Sequence, residues 1–185
     1  MALAHGPYTI EMLERMLPAD SHTRYELLDG ELIVTNNPVP RHQVLVLRIS
    51  AAIGQYVETH RLGVAWPGGD VHFDRHNMLE PDVLVALGPG MMLLKTWREL
   101  PDPALAVEVL SPSSARYDRG RKRERYMDRV REYWIVDPDA QLIEIWRPGD
   151  TRPQVVRDAL TWQPVADVPG LVVRVADLFE DLTAD

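Results

Sequence analysis

The chain of 185 residues contains no cysteine, which excludes disulfide bridges, thiolate zinc sites and a cysteine nucleophile together. It also lacks any stretch near the roughly 20 apolar residues that a membrane-spanning helix requires. Lysine is scarce: among 20 basic side chains only Lys95 and Lys122 are not arginine. Where this chain needs positive charge alone it uses arginine, so Lys122, with Arg121, Arg123 and Arg125 around it, asks for a chemical reason. The opening residues MALAHGPYTIEMLERMLP carry neither the basic end nor the long apolar core of a signal peptide. With cysteine missing as well, a cytoplasmic location away from membranes is expected.

What is present suits one globular domain, 1–185, since a chain of this length buries a single core of ordinary size. Hydrophobic residues make up 45% and charged residues 26%, a soluble composition. The net charge of −8 argues against a protein that merely coats nucleic acid. The charge is uneven. Residues 116–131 hold eight cations and three anions, a local +5 that leaves −13 for the remainder. Such a strip is either a phosphate-binding face or a solvated helix face.

Periodicity divides the chain further. TIEMLERML (9–17) reads as a short amphipathic helix stopped by Pro18. YELLDGELIV forms two alternating runs around Asp29-Gly30, a strong hairpin signal. A loop over Asn36–Pro40 precedes a helix from His42 to about Glu58. Short strands follow at Leu62–Trp66, Asp70–Phe73 and Val83–Leu87, with a turn at Asp74–Asn77 and an irregular segment over 88–101. ALAVEVL (104–110) is apolar enough for a strand buried on both faces. A charged helix is expected over 115–133, with Gly120 as its weak point. Strands at Tyr133–Val136 and Leu142–Trp146 then flank Asp137-Pro138-Asp139, and short strand-like runs reach Leu178. The order implies an α/β (α+β) domain in which helices flank a central mixed sheet. It divides into an N-terminal helix and hairpin (8–35), a core (41–147) and a C-terminal strand extension (148–180).

Three residues fit a purely structural account badly. Glu108 lies inside ALAVEVL, where a carboxylate needs a cation or donors unless the strand is a solvated edge. By alternation it shares a face with Ala104, Ala106 and Leu110, whose small members leave room around it. Asp82 heads the preceding apolar run, as a turn residue or as half of a carboxylate pair that could hold Mg²⁺ or Mn²⁺. At about 100° per residue, Asp118, Lys122, Tyr126 and Tyr133 occupy one narrow arc, while Arg121 and Arg125 project elsewhere. Asp118 and Lys122 therefore form a buried i,i+4 ion pair, or Lys122 reaches toward Glu108.

Pro81-Asp82 followed by Glu108 in an apolar strand resembles the PD-(D/E)xK nuclease superfamily, in a variant with the lysine moved to the next helix, because position 110 is Leu. The segments RYELLDGELIV, PVPRHQ, EPDVLV, LAVEVLSPSS, YDRGRKRERY, REYWIVDP and VPGLVVRVADLF further resemble the Uma-two restriction endonuclease family, in order and over residues 8–180. The resemblance implies a restriction-endonuclease-like core with an extra N-terminal hairpin, and a metal-dependent endodeoxyribonuclease. Asp82, Glu108 and Lys122 would be catalytic. Asp82, Glu108 and Glu26 would hold Mg²⁺ (or Mn²⁺). Glu31, His42, Asp118 and Tyr126 accompany them, with Glu31 able to replace Glu26 because both share one hairpin face. Arg119, Arg121 and Arg125 would contact DNA phosphates. A homodimer or higher homo-oligomer would let two sites cut two strands. The alternative is a catalytically inactive nuclease-fold module that binds nucleic acid or a protein partner.

Overall fold

The computed structural model describes residues 7–16, 23–35 and 39–182. In chain order its elements are α1 (Ile10–Met16), β1 (Arg24–Leu28), β2 (Glu31–Thr35), α2 (Pro40–Thr59), β3 (Gly63–Trp66), β4 (Val71–Asp74), β5 (Asn77–Leu79), β6 (Val83–Leu87) and β7 (Leu105–Val109). There follow α3 (Ala115–Tyr117), a wide π-helical turn (Asp118–Lys122), α4 (Arg123–Tyr126), β8 (Tyr133–Asp137), β9 (Leu142–Trp146), β10 (Gln154–Val156), β11 (Ala159–Trp162), β12 (Leu171–Arg174) and α5 (Val175–Phe179). Six strands make the central sheet in the order β10-β9-β8-β7-β6-β3. Only β7 and β8 run parallel, joined by the helical segment 115–126, so the sheet is mixed as the sequence implies.

The two faces of this sheet are covered differently. Leu105, Val107 and Val109 of β7, with Trp134 and Val136 of β8, pack on Leu45, Ile49, Ile53 and Val57 of α2. Those four recur at helical spacing, and Pro40 opens the helix where its missing N–H costs nothing. Ala106 of β7 and Leu110 just beyond it face the other way, with Tyr133 and Ile135 of β8, against Leu28, Leu79, Tyr126 and Val130. On that side a second sheet, β2-β1-β5-β4, lies over the first. Its outer face is closed by α1, whose Ile10 and Leu13 pack with Leu27 and Leu32. The N-terminal hairpin is thus half of a four-stranded layer.

Asp29 and Gly30 turn that hairpin with positive φ at both positions (53° and 77°), the conformation a two-residue hairpin loop requires. The register pairs Glu26 with Ile33 and Leu28 with Glu31. Several boundaries differ from expectation. The helix expected over 115–133 is interrupted where the chain leaves helical geometry at Gly120 (φ −109°, ψ −110°), ends at Tyr126, and leaves Tyr133 to β8. β5 occupies the end of the expected 74–77 turn, and α5 continues the last strand-like run. Pro40 belongs to α2 rather than to a loop. Leu17, Pro18 and Asn36–Pro38 lie outside the described residues.

Candidate active site

The inner face of β1, the start of β6, the end of β7 and the 118–126 turn converge between the two sheets. Glu26, His42, Asp82, Glu108, Asp118 and Lys122 meet there, none more than 8% exposed, and Tyr126 is fully buried. Pairing of β6 with β7 runs to Val83–Val107, so Asp82 and Glu108 stand one step beyond it on neighbouring central strands.

Lys122 is the hub of one half. Its Nζ lies 2.7 Å from Glu26 Oε2, 3.3 Å from Glu108 Oε1 and 3.3 Å from Asp118 Oδ1. Both readings of the Asp118–Lys122 spacing hold at once: the pair forms, and the ammonium also reaches Glu108. Tyr126 Oη donates to the same Glu108 Oε1 at 3.0 Å. Among the described residues, Glu108 Oε2 takes part in no hydrogen bond or ion pair. The Tyr126 ring stacks on Tyr133, centroids 4.6 Å apart, and Tyr133 Oη donates to the Asp118 carbonyl, which braces the wide turn.

Asp82 anchors the other half. Its Oδ1 accepts from Arg24 Nη1 at 2.9 Å, and its Oδ2 accepts the Val109 N–H at 2.8 Å. His42 Nε2 lies 3.2 Å from Asp82 Oδ2 and 3.0 Å from the Val109 carbonyl oxygen. Both neighbours only accept, so Nε2 carries the proton. Glu26 joins the halves: its Oε1 accepts the Glu80 N–H at 3.0 Å while Oε2 meets Lys122.

Four buried carboxylates, Glu26, Asp82, Glu108 and Asp118, thus face two full cations, Arg24 and Lys122. The imbalance shows in their acidities. Burial pushes Glu108 well above the ordinary carboxylate range, more than Lys122 can pull it back, and raises Asp118 in the same way. Burial would raise Asp82 too, but the His42 hydrogen bond, Arg24 and the Val109 N–H outweigh it and hold that carboxyl at about 2. Lys122 is raised well above its usual range: burial opposes its charge, and three carboxylates overcome that.

Every acidic and histidine candidate except Glu31 is brought into this cluster. Glu31 points out of it to Arg121 Nη1 at 2.7 Å and is 37% exposed in its side chain, so Glu26 is the hairpin carboxylate beside Lys122. Arg119 pairs with Asp137 and Glu144, Arg121 with Asp29 and Glu31, and Arg125 with Asp29 and Asp128. The expected phosphate contacts are therefore already engaged with carboxylates. Arg24 is the functional neighbour that sequence reasoning missed. Its position two residues before Glu26 on one strand, hence on the same face, was the available signal.

Among the described residues no three His, Asp or Glu side chains stand as ligands around one point, because their oxygens turn to Lys122, Arg24 and His42. In donor type the residues nevertheless fit a hard divalent cation: carboxylates in excess over cations, Glu108 Oε2 unengaged, and a backbone carbonyl at Val109. A narrow cavity of about 130 Å³ leads inward past Glu26 and Lys122 between β2 and Ser113-Ser114-Tyr117.

The paired acids, the ammonium and the tyrosine thus stand together at the ends of adjacent strands of the mixed sheet. The family model of Uma2, described as "Putative restriction endonuclease", matches residues 10–177, and the chain belongs to that family. The chain is similar to the uncharacterized protein slr1290 of Synechocystis sp., 26% identical over 139 residues, which cover 69% of this chain and 67% of that protein. It also resembles the crystal structure of "a putative nuclease belonging to DUF820" from Anabaena variabilis, with a TM-score of 0.73 and 19% identity. The match covers 94% of this chain and 98% of that one, and it establishes the shared fold. No helix among the described residues is long and apolar enough to cross a membrane.

Proposed function

We propose that the protein is an Mg²⁺-dependent endonuclease that hydrolyses DNA phosphodiester bonds at this cluster. The observation that carries the reading is the contact of Lys122 Nζ with Glu108 and Glu26 from the helix after β7, because it restores the ammonium that Leu110 does not supply. Asp82, Glu108 and the Val109 carbonyl would hold the metal, which when bound would acidify a water and offset charge on the phosphate. Arg24 and the Val109 N–H keep Asp82 ionised and oriented. Tyr126 fixes the Glu108 carboxylate. Glu26 positions Lys122, whose charge would stabilise the negative charge that develops at phosphorus. A homodimer would bring two such centres to the two strands.

Mn²⁺ titration by electron paramagnetic resonance tests the metal site without a known substrate. Saturable binding in the wild type that disappears in Asp82→Asn plus Glu108→Gln is expected. Equal weak binding in both would leave the cluster a structural ion network. On DNA that the wild type cuts, Lys122→Met should lower the rate by about a hundredfold or more, the effect of losing one charge-stabilising group. An unchanged rate would remove Lys122 from catalysis.

A further inference from the structure

A second and larger cavity, of about 560 Å³, opens between α1, β4, β5 and the Thr96–Arg98 turn. It lies on the α1 side of β1, away from the buried carboxylates: Tyr25 lines it, whereas its neighbours Arg24 and Glu26 face the cluster. Its size falls among small-ligand pockets, roughly 300–1,000 Å³, which combine apolar walls with a few polar groups. The walls are Leu13, Tyr25, Met78 and Trp97, and the polar groups include Asp70 and Glu80.

The aromatic wall is fixed in place. A Cβ at Gly69, where φ is +122°, would sit 2.7 Å from the Trp97 ring, so only glycine lets the indole lie against that backbone. Trp66 meets the same ring edge-on at 5.5 Å. Across the mouth Arg98 pairs with Glu14 at 2.7 Å, which spends the charge of that arginine on α1.

Of the two acids, Asp70 is unspent. Asp70 makes no hydrogen bond or ion pair with any described residue. Burial, and next the charge of Glu80, raise its carboxyl to about 6. Glu80 is engaged: its Oε2 lies 3.4 Å from Arg24 Nε, and burial raises its carboxyl against the pull of that arginine. Burial lowers His72, and among the described residues its Nδ1 has no hydrogen-bond partner. A flat aromatic wall beside an unpaired carboxylate calls for a flat ligand with N–H donors on its edge.

We propose that this cavity binds a nucleobase bearing an exocyclic amino group, with its ring against Trp97 and its amino group donating to Asp70. Ring stacking on an aromatic side chain stabilises any base, whereas a carboxylate selects the amino edge. Uracil presents a carbonyl oxygen where cytosine has its amino group, so only its ring N–H could meet Asp70 while the neighbouring oxygen faced the carboxylate. An aliphatic polyamine would satisfy Asp70 and leave the aromatic wall unused. The inference does not depend on phosphodiester hydrolysis.

Calorimetric titration of the full chain in EDTA with cytidine, uridine and spermidine tests it. Cytidine should bind at least about tenfold more tightly than uridine, the discrimination expected of a site whose acceptors need a donor. Asp70→Asn, shown to be folded by its thermal transition, should weaken cytidine by about tenfold, and Leu13→Trp should block the cavity altogether. Equal binding of cytidine and uridine, no saturation by either at millimolar concentration, preference for spermidine, or cytidine binding that survives Leu13→Trp would each overturn the proposal. Competition between cytidine and oligo-deoxycytidine would identify a base within a strand as the occupant, and binding of the free nucleoside alone would identify a small-molecule effector. Cytidine binding that persists in Asp82→Asn plus Glu108→Gln would separate this cavity from the phosphodiesterase reading.

Discussion

Removing the charge of Lys122 gives the most direct reading of how the buried cluster is balanced. Lys122→Met keeps the length of the side chain and leaves Glu26, Glu108 and Asp118 facing one another across the positions now 2.7, 3.3 and 3.3 Å from the ammonium. Breaking a buried ion pair from one side costs about 3–5 kcal/mol when the stranded charge persists. Here the stranded carboxylates can also take up protons. A carboxyl whose pKa is higher in the folded than in the unfolded chain carries no penalty below the unfolded value, near 4. The penalty then grows by about 1.4 kcal/mol per pH unit and per proton until the folded pKa is reached. Glu108 and Asp118 are raised by burial even with Lys122 present. The variant should therefore lose little stability at pH 5 and about 3–5 kcal/mol at pH 8, with a pH slope steeper than wild type by at least one proton. Urea unfolding in EDTA at several pH values measures this. A variant within about 1 kcal/mol of wild type at pH 8, with parallel slopes, would refute the reasoning, since it lies below any cost of a stranded buried charge.

Three further outcomes follow from the same geometry. Glu108→Gln removes one of the excess buried charges while its amide oxygen still accepts from Tyr126, so in EDTA at neutral pH it should raise stability by about 1–4 kcal/mol; a lower melting temperature would show that Glu108 is a net stabilising partner of Lys122. Asp82, held at about 2 against a usual 3.8, contributes roughly 2 kcal/mol that is present above pH 4 and lost as pH falls through 2. Asp82→Asn should flatten the acid limb of the unfolding curve, and an unchanged limb would show that Asp82 is not held ionised by its neighbours. On DNA, Arg116 is exposed and forms no ion pair with a described residue, so Arg116→Ala should reduce the salt slope of binding by about 0.9. Arg119→Ala, Arg121→Ala or Arg125→Ala should each change it less, because each already holds carboxylates; a full unit lost in any of them would show that phosphate displaces those acids.

Much of this architecture was legible where one periodicity dominates. The seven buried positions of α2 are spaced for a helix, and β6, β7 and β9 are apolar runs bounded by turn residues. Short elements were harder to read. Asn77 begins β5 yet looks like a turn residue, because its amide serves the hairpin: Oδ1 accepts the Asp29 N–H and Nδ2 donates to Asp74. Val175–Phe179 continues an alternating run without a break and is too short to show a helical period. Within the site, period two placed Glu26 and Glu31 on one face but could not choose between them. The choice is made by the turn after α3, which sends Lys122 inward to Glu26 and Arg121 outward to Glu31.

The same turn places an ammonium beside Glu108 although position 110 is Leu. Leu110 lies on the Glu108 side of β7 and is 7% exposed among Tyr126, Tyr133 and other apolar neighbours. A lysine there would have to bury its stem in that cluster. The segment 115–126 crosses over the same face, but a continuous α-helix would fix the spacing of Asp118, Lys122 and Tyr126 at one turn each. Departure from helical geometry at Gly120 inserts a wide turn between Asp118 and Lys122, the type of local irregularity often found at functional sites. Asp118 then sits beside the ammonium, Lys122 reaches Glu108 and Glu26, and Tyr126 reaches the same Glu108 oxygen. One crossover thus supplies three of the polar groups around a glutamate that the strand alone would leave unpaired.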